Sequence, residues 1–286
     1  MTRAKALEEA RNKLITEGFS EGLLEAEVLL RHALQMSRSE LYSSLDTTLT
    51  RKERSFFNAL ILRRLGGEPV SYIIEHREFY GLDFFVDSRV LIPRPETEML
   101  IEEAIKLARN LDKPVISDVG TGSGAIAVSL AKHIPAARVY GIDIMPECIE
   151  VARKNATFHE VSERIIFIKS DLLSALPEKA DIIIANLPYV KTSDVWMLNE
   201  EPATALDGGE DGLDVIRRLI AQIEEHLTPG GKCLLEIGIN QNGAVRDIIN
   251  DIIPEAQIKT SRDLAGIVRM ISVTLPQEIE ANRVTE

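Results

Sequence analysis

Cysteine is nearly missing from this chain. Cys148 and Cys233 are single, far apart and without CxxC spacing, which excludes a disulfide framework and gives no ground for a zinc site. Both stand in apolar surroundings and are expected to be buried core thiols. No apolar run approaches the ~20 residues that a membrane span requires. The start, Met1-Thr2-Arg3-Ala4-Lys5 with Glu8 and Glu9 following, carries no apolar signal segment, so export is not expected. A reducing, cytoplasmic setting fits these features. Positive charge is in deficit too: 33 Lys and Arg stand against 45 Asp and Glu, a formal net charge of -12. A general duplex-DNA binder usually carries a basic footprint, so direct nucleic-acid binding is not expected. The local basic groups, Arg51-Lys52 with Arg54 and Arg63-Arg64, read as solvated helix faces. His32, His76, His133, His159 and His226 are scattered without metal-ligand spacing, and no metal is expected. No internal repeat or low-complexity segment is present.

What remains is the composition of a chain that buries a core: 286 residues, 45% hydrophobic and 27% charged, enough for a large domain and a smaller one. The first ~70 residues read as helices. Leu23, Leu24, Ala26, Val28, Leu29, Leu30, Ala33 and Leu34 recur at helical spacings. Thr50 and Glu53 match a capping box ahead of a stripe of Phe56, Phe57, Leu60 and Ile61, and Gly66-Gly67 with Pro69 stop that helix. Tyr72-Ile73-Ile74, then Glu78-Phe79-Tyr80, Gly81, Leu82 and Phe84-Phe85-Val86, suggest short strands about a glycine turn. Leu91 to Glu98 is a proline-stiffened connector into a helix from Met99 to Ala108. The expected division is a helical domain at 1–75, a hairpin linker at 76–95 and a larger domain at 96–286.

From ~114 onward strands and helices alternate. Val115–Val119, Val139–Ile142, Ile165–Ile168, Ile182–Ala185 and Cys233–Leu235 read as buried strands, and near-continuous apolar strands separated by helices imply a parallel sheet covered on both faces. The last strand, Ile267 to Val273, follows another without a clear long helix, which allows an antiparallel edge. The tail after Pro276 is expected to be loosely ordered.

Two motifs carry chemistry. The first strand ends in Asp118-Val119-Gly120-Thr121-Gly122-Ser123-Gly124 directly before a helix. Glycines there allow a tight turn and let a ligand approach the backbone and the helix N-terminus. Asp143 closes the second strand, where a carboxylate can accept both hydroxyls of a ribose. Taken alone the loop is ambiguous, because Gly120, Gly122 and Ala125 with Asp143 also satisfy the dinucleotide-binding pattern. The second motif is Asn186-Leu187-Pro188-Tyr189, placed where the fourth strand ends and where ligands of open parallel sheets bind. Together the two motifs look like methyltransferases that modify planar amide or exocyclic amino nitrogens.

The flanks narrow the resemblance. Phe79-Tyr80-Gly81, Val90 through Glu98, Glu201-Pro202 through Ala205-Leu206-Asp207-Gly208-Gly209, Asp211-Gly212-Leu213, Glu236-Ile237-Gly238, and Asp263 to Gly266 with Arg269 resemble the HemK/PrmC family of protein-(glutamine-N5) methyltransferases. The likeness runs along nearly the whole chain. It implies an α/β, Rossmann-like class I methyltransferase sheet with a small N-terminal helical domain joined by a β-hairpin. It also implies S-adenosyl-L-methionine as cofactor, and peptide chain release factors as protein substrate, methylated on the glutamine of their Gly-Gly-Gln motif and engaged in part by the helical domain. Carried onto this sequence, Gly120, Thr121, Gly122, Ser123, Gly124, Asp143, Asp171, Leu172 and Asn186 would hold the cofactor, with Asp171 and Leu172 near the adenine. Asn186, Leu187, Pro188 and Tyr189 would form the catalytic tetrapeptide. In it the Asn186 side-chain oxygen and the Leu187 carbonyl accept the two amide N–H groups, and Tyr189 walls the pocket. Leu187 departs from the family, which usually has Pro there; the carbonyl is common to both, and Pro188 still biases Leu187 away from helical geometry. The competing readings are an adenine amino-methyltransferase, a ribosomal-protein glutamine methyltransferase, a nicotinamide-dependent oxidoreductase and a non-catalytic binding module.

Overall fold

A computed structural model describes residues 1–198 and 200–277; the segment after Gln277, where the tail was expected to be loose, lies outside the described residues. Two units are distinguished, Met1–His76 and a second from Arg77 onward.

The first unit is helical. Its elements are α1 (Arg3–Thr16), α2 (Gly22–Leu34), α3 (Arg38–Tyr42), α4 (Arg51–Leu65) and α5 (Val70–Ile73). The capping box of α4 forms as expected: the Thr50 hydroxyl accepts from Glu53 N at 3.2 Å and Glu53 Oε2 accepts from Thr50 N at 2.7 Å. The apolar stripes are narrower than their spacing implied. Leu29, Leu30, Phe57, Leu60 and Ile61 are buried, whereas Leu23, Leu24 and Phe56 are about half exposed. Tyr72-Ile73 belongs to a helical turn, not to a strand. Pro69 precedes that turn with extended geometry, and its fixed φ suits the start of a helix.

The second unit opens on a hairpin, β1 (Arg77–Phe79) and β2 (Leu82–Phe84). Phe79 and Phe84 are fully buried in this unit's core and meet edge to face at 6.1 Å. The remaining elements are α6 (Glu98–Ala108), β3 (Val115–Val119), α7 (Ala125–His133), β4 (Arg138–Asp143), α8 (Pro146–Phe158), β5 (Ile165–Lys169), β6 (Ala180–Ala185), α9 (Asp214–His226), β7 (Leu227–Glu236), α10 (Asn242–Ile252), β8 (Gln257–Arg262) and β9 (Val268–Thr274). Seven strands form one sheet in the order β5-β4-β3-β6-β7-β9-β8. The first five are parallel, and β9 and β8 close one side as an antiparallel pair. A helix, α10, precedes that pair, and β8 is the outermost strand, neither of which was separately legible.

Alternate residues of each central strand face opposite layers, as a period of two requires. Ile182 and Ile184 join α6 and α7 on one side, while Ile183 and Ala185 join α9 and α10 on the other. This is the Rossmann-like arrangement expected. The chain runs β3, β4, β5 outward and returns to place β6 against the other side of β3. Such a reversal opens a crevice at the carboxyl ends of the strands.

Candidate active site

Strand register sets the site. Val119 of β3 pairs with Ile142 of β4 and Ala185 of β6, and Ala185 pairs with Leu235 of β7. The next residues along these strands are Asp143, Gly120, Asn186 and Glu236, a row across four neighbouring strands at the carboxyl edge. Gly120, Asp143 and Asn186 of this row edge a cavity of ≈ 390 Å³, a volume ordinary for a small-molecule site. Its wall includes Gly120, Thr121, Gly122, Ser123, Asp143, Asp171, Leu172, Asn186, Leu187 and Pro188.

The loop after β3 is pinned from below. Gly120 N and Thr121 N both donate to the Ile142 carbonyl at 2.8 Å. Asp118 is fully buried, and its Oδ2 accepts from Thr121 Oγ1 at 2.6 Å and Ala127 N at 3.1 Å. Burial pushes its pKa up to about 7 against those two hydrogen bonds. Gly124 stands behind the cavity: it caps α7 at φ +79°, and a Cβ there would lie 2.9 Å from the Ala152 Cβ. Glycine thus lets α8 approach the loop.

Asp143 is buried. Its Oδ2 accepts from Gly122 N and its Oδ1 from Met145 N, each at 2.9 Å. Burial raises its pKa, while the backbone N–H groups of Met145, Gly122 and Ile144 hold the rise in check. A carboxylate offers about four acceptor positions, so two backbone bonds leave capacity for two hydroxyl donors. Asp171 pairs with Arg218, which also lines the cavity, and Leu172 adopts a left-handed φ of 52°. Cys148 joins the wall as an inert thiol, pushed up to about 12 by burial.

On the other side of the cavity, Asn186 Nδ2 donates to Thr97 Oγ1 at 3.0 Å, and Thr97 Oγ1 donates to Glu236 Oε2 at 2.6 Å. The Tyr189 hydroxyl donates to Glu236 Oε1 at 3.3 Å. Tyr189 therefore stands behind the wall, largely buried, where burial and the nearby Glu236 charge push its pKa up to about 12. Leu187 points its side chain into the core beneath the cavity. Among the described residues no donor is bonded to its carbonyl oxygen.

The backbone after the tetrapeptide is held by Val190 N on the Leu206 carbonyl at 2.9 Å, Gly208 N on the Val190 carbonyl at 2.8 Å and Gln241 Nε2 on the Tyr189 carbonyl at 2.9 Å. Gly212, at φ +79°, packs so closely that a Cβ would lie 2.5 Å from the Tyr189 oxygen. Gly212→Ala is expected to cost about 1–3 kcal/mol of stability and to slow turnover by shifting Tyr189. Thermal unfolding together with a rate measurement checks this, and an unchanged midpoint and rate would contradict it.

Thr97, Glu236, Arg218 and Gln241 had no assigned role in the sequence reading. Arg94 lines the cavity and pairs with Glu201, whose Oε1 accepts from Ile92 N at 2.9 Å. Trp196 is 72% exposed and lies outside the wall. No group of His, Cys, Asp and Glu able to hold a metal ion occurs among the described residues, and none of their helices is long and apolar enough to cross a membrane.

Residues 5–74 match the PrmC N-terminal domain, and residues 102–262 match a family described as methyltransferase domain. The release factor glutamine methyltransferase of Koribacter versatilis is 40% identical over 278 residues, 95% of this chain and 98% of that protein. Its namesake in Moorella thermoacetica is 40% identical over 271 residues, 93% of this chain and 96% of that protein. A solved methyltransferase from Pyrococcus furiosus has a TM-score of 0.51 at 17% identity, covering 77% of this chain and 98% of its own, a likeness of fold alone. With both units matched and identity sustained end to end, the chain belongs to the release factor glutamine methyltransferase family.

Proposed function

We propose that this protein transfers a methyl group from S-adenosyl-L-methionine to the side-chain amide nitrogen of a glutamine in a peptide chain release factor, the glutamine of its Gly-Gly-Gln motif, in the cytoplasm. The observation that carries the reading is the row at the carboxyl edge, where Asn186 and the Leu187 carbonyl stand on one strand end beside the glycine loop and Asp143 on the next two.

The residues present fit the cofactor. Asp143 keeps acceptor capacity for a ribose, Gly120 to Ser123 line the cavity, and Asp171 and Leu172 wall the end assigned to the adenine. When bound, S-adenosylmethionine supplies an electrophilic methyl group on a sulfonium. The chain's own task is to hold a poor nucleophile, because an amide nitrogen's lone pair is delocalised into its carbonyl. The Asn186 Oδ1 and the Leu187 carbonyl each accept one of the two amide N–H groups and fix the nitrogen in place. Orientation of this kind supplies up to ~7–11 kcal/mol in favourable cases. Positive charge developing on nitrogen is stabilised by the same two oxygens, a contribution that grows toward the transition state. Leu187 performs this with its backbone, so the departure from Pro leaves the chemistry intact.

Incubation with labelled cofactor and, separately, a release factor, a ribosomal protein and an adenine-containing nucleic acid tests the substrate. Label on the release factor that disappears when its Gly-Gly-Gln glutamine is substituted supports the reading; label on adenine or on the ribosomal protein alone would overturn it.

Residues 1–75 are assigned to docking the release factor, since they hold no catalytic constellation and match a domain of their own. A chain beginning at Arg77 is expected to bind cofactor as the full protein does and to lose most activity on intact release factor. Folded, shortened protein with full activity on that substrate would remove the docking role.

A further inference from the structure

Asn186 has two ends that differ in chemistry and hardly in shape. The amide oxygen only accepts hydrogen bonds and the amide nitrogen only donates them. A substrate amide nitrogen offers two N–H donors. Were the Asn186 side chain turned over, its NH2 would face those donors and repel them. Something must choose the orientation, and Asn186 cannot do so itself.

We propose that Thr97 and Glu236 are positioning residues that fix which end of the Asn186 amide faces the substrate; this rests on the amide-holding role given to Asn186 above. Thr97 is 4% exposed and Glu236 is 3% exposed, so water does not compete freely for either. A hydroxyl has one proton. Thr97 commits its proton to Glu236 Oε2 at 2.6 Å, a short bond of the charge-assisted kind. Burial raises the Glu236 pKa, while the Thr97 and Tyr189 hydroxyls and the Arg269 charge hold the rise in check. With the carboxylate ionised there is no proton to return, so the Thr97 oxygen can only accept from its other neighbour. That neighbour is Asn186, whose Nδ2 lies 3.0 Å away. Placing Oδ1 there instead would set lone pair against lone pair. The carboxylate at the end of β7 therefore dictates the direction of both bonds and leaves Oδ1 as the end of the amide available to the cavity. Tyr189 completes the device by donating to the second carboxylate oxygen, Oε1, at 3.3 Å, which ties the last residue of the tetrapeptide to the group that orients the first.

A structural role for Thr97 and this positioning role differ in one measurable respect: positioning acts through Asn186 and vanishes without it. The experiment is a double-mutant cycle on the full-length protein, read as single-turnover methyl transfer to a release factor at saturating cofactor. Thr97→Val keeps the side-chain shape and removes the hydroxyl. It is expected to slow transfer about tenfold or more while leaving cofactor affinity and substrate KM within about twofold. Thr97→Ser keeps the hydroxyl and is expected to restore the rate to within about threefold of wild type. In an Asn186→Ala background, Thr97→Val is expected to cost less than about twofold, because the group it orients is already gone.

Should Thr97→Val fail to fold, Glu236→Ala carries the same test: with the acceptor removed the Thr97 hydroxyl serves either end of the amide, and a several-fold loss of rate is expected that again disappears without Asn186. Equal costs in both backgrounds would overturn the proposal, as would a Thr97→Val enzyme with wild-type rate beside a slow Asn186→Ala enzyme. In the second case the amide-holding reading survives and only the positioning role falls. Wild-type rate in Asn186→Ala itself removes the amide-holding reading and this proposal with it.

Discussion

Replacing Asn186 with alanine is expected to slow methyl transfer by about a hundredfold or more, the scale on which deletion of one preorganised transition-state hydrogen-bonding group acts. Cofactor affinity should change little. Asn186 stands one residue past the β6 position that pairs with Val119, and the loop below it is held by Ile142 and Asp118 without its help. Its removal takes one of the two oxygens proposed to hold the substrate nitrogen and leaves the other, the Leu187 carbonyl. A further loss follows inside the protein. Thr97 Oγ1 loses its donor, but its hydroxyl still donates to Glu236, so the buried chain keeps its shorter bond and the fold should tolerate the change. Single-turnover rates at saturating cofactor, compared with calorimetric cofactor binding, separate the two effects. Weaker cofactor binding in step with the rate would place Asn186 in the cofactor's site instead.

Asp143→Ala is expected to act the other way, on cofactor affinity. A hydrogen bond to a charged acceptor contributes about 1.5–3 kcal/mol, so affinity should fall roughly tenfold to a hundredfold. Part of that loss belongs to the protein, because Asp143 also receives Gly122 N and Met145 N and its absence frees the loop it faces. Asp143→Asn keeps one acceptor oxygen and distinguishes the contributions: affinity between that of wild type and that of alanine is expected. Titration calorimetry with S-adenosylmethionine checks both variants. Wild-type affinity in Asp143→Ala would show that the carboxylate serves the loop and not the ligand.

The parts of this site that were legible in the sequence are those coded locally. Gly120, Gly122 and Gly124 all take positive φ, a backbone state that glycine adopts without steric cost, and Asp143 closes an apolar strand that announces its own end. The capping box at Thr50 and Glu53 is likewise a matter of residues three apart. The helix α10 is not legible although Val245 and Ile249 are buried, because Asn, Gly and Asp interrupt its apolar spacing. In β8 Ile258 alone is apolar, and an exposed edge strand asks for no more. Tyr72 and Ile73 are apolar neighbours without a period, and the turn following Pro69 made them helical. Hardest to read was the chain of bonds behind Asn186. Its links join residues 89 and 139 positions apart: Asn186 and Glu236 follow neighbouring parallel strands, while Thr97 stands at the N-terminus of α6. Both Thr97 and Glu236 fall in segments that carry the family resemblance, but no local pattern announces that they meet. Tyr189, in the loop after β6, bonds to Glu236 and is not part of the wall it was expected to form.

In the proposed reaction the methyl group arrives on the side-chain nitrogen of one glutamine. Fragment-ion mass spectrometry of a release factor, digested after incubation with the enzyme and S-adenosylmethionine, tests it most directly. One added methyl group is expected, confined to fragments that contain the Gly-Gly-Gln glutamine, carried by its side-chain amide and absent with Asn186→Ala. A methyl group on any other residue or on the backbone, or full modification by the Asn186→Ala enzyme, would contradict it.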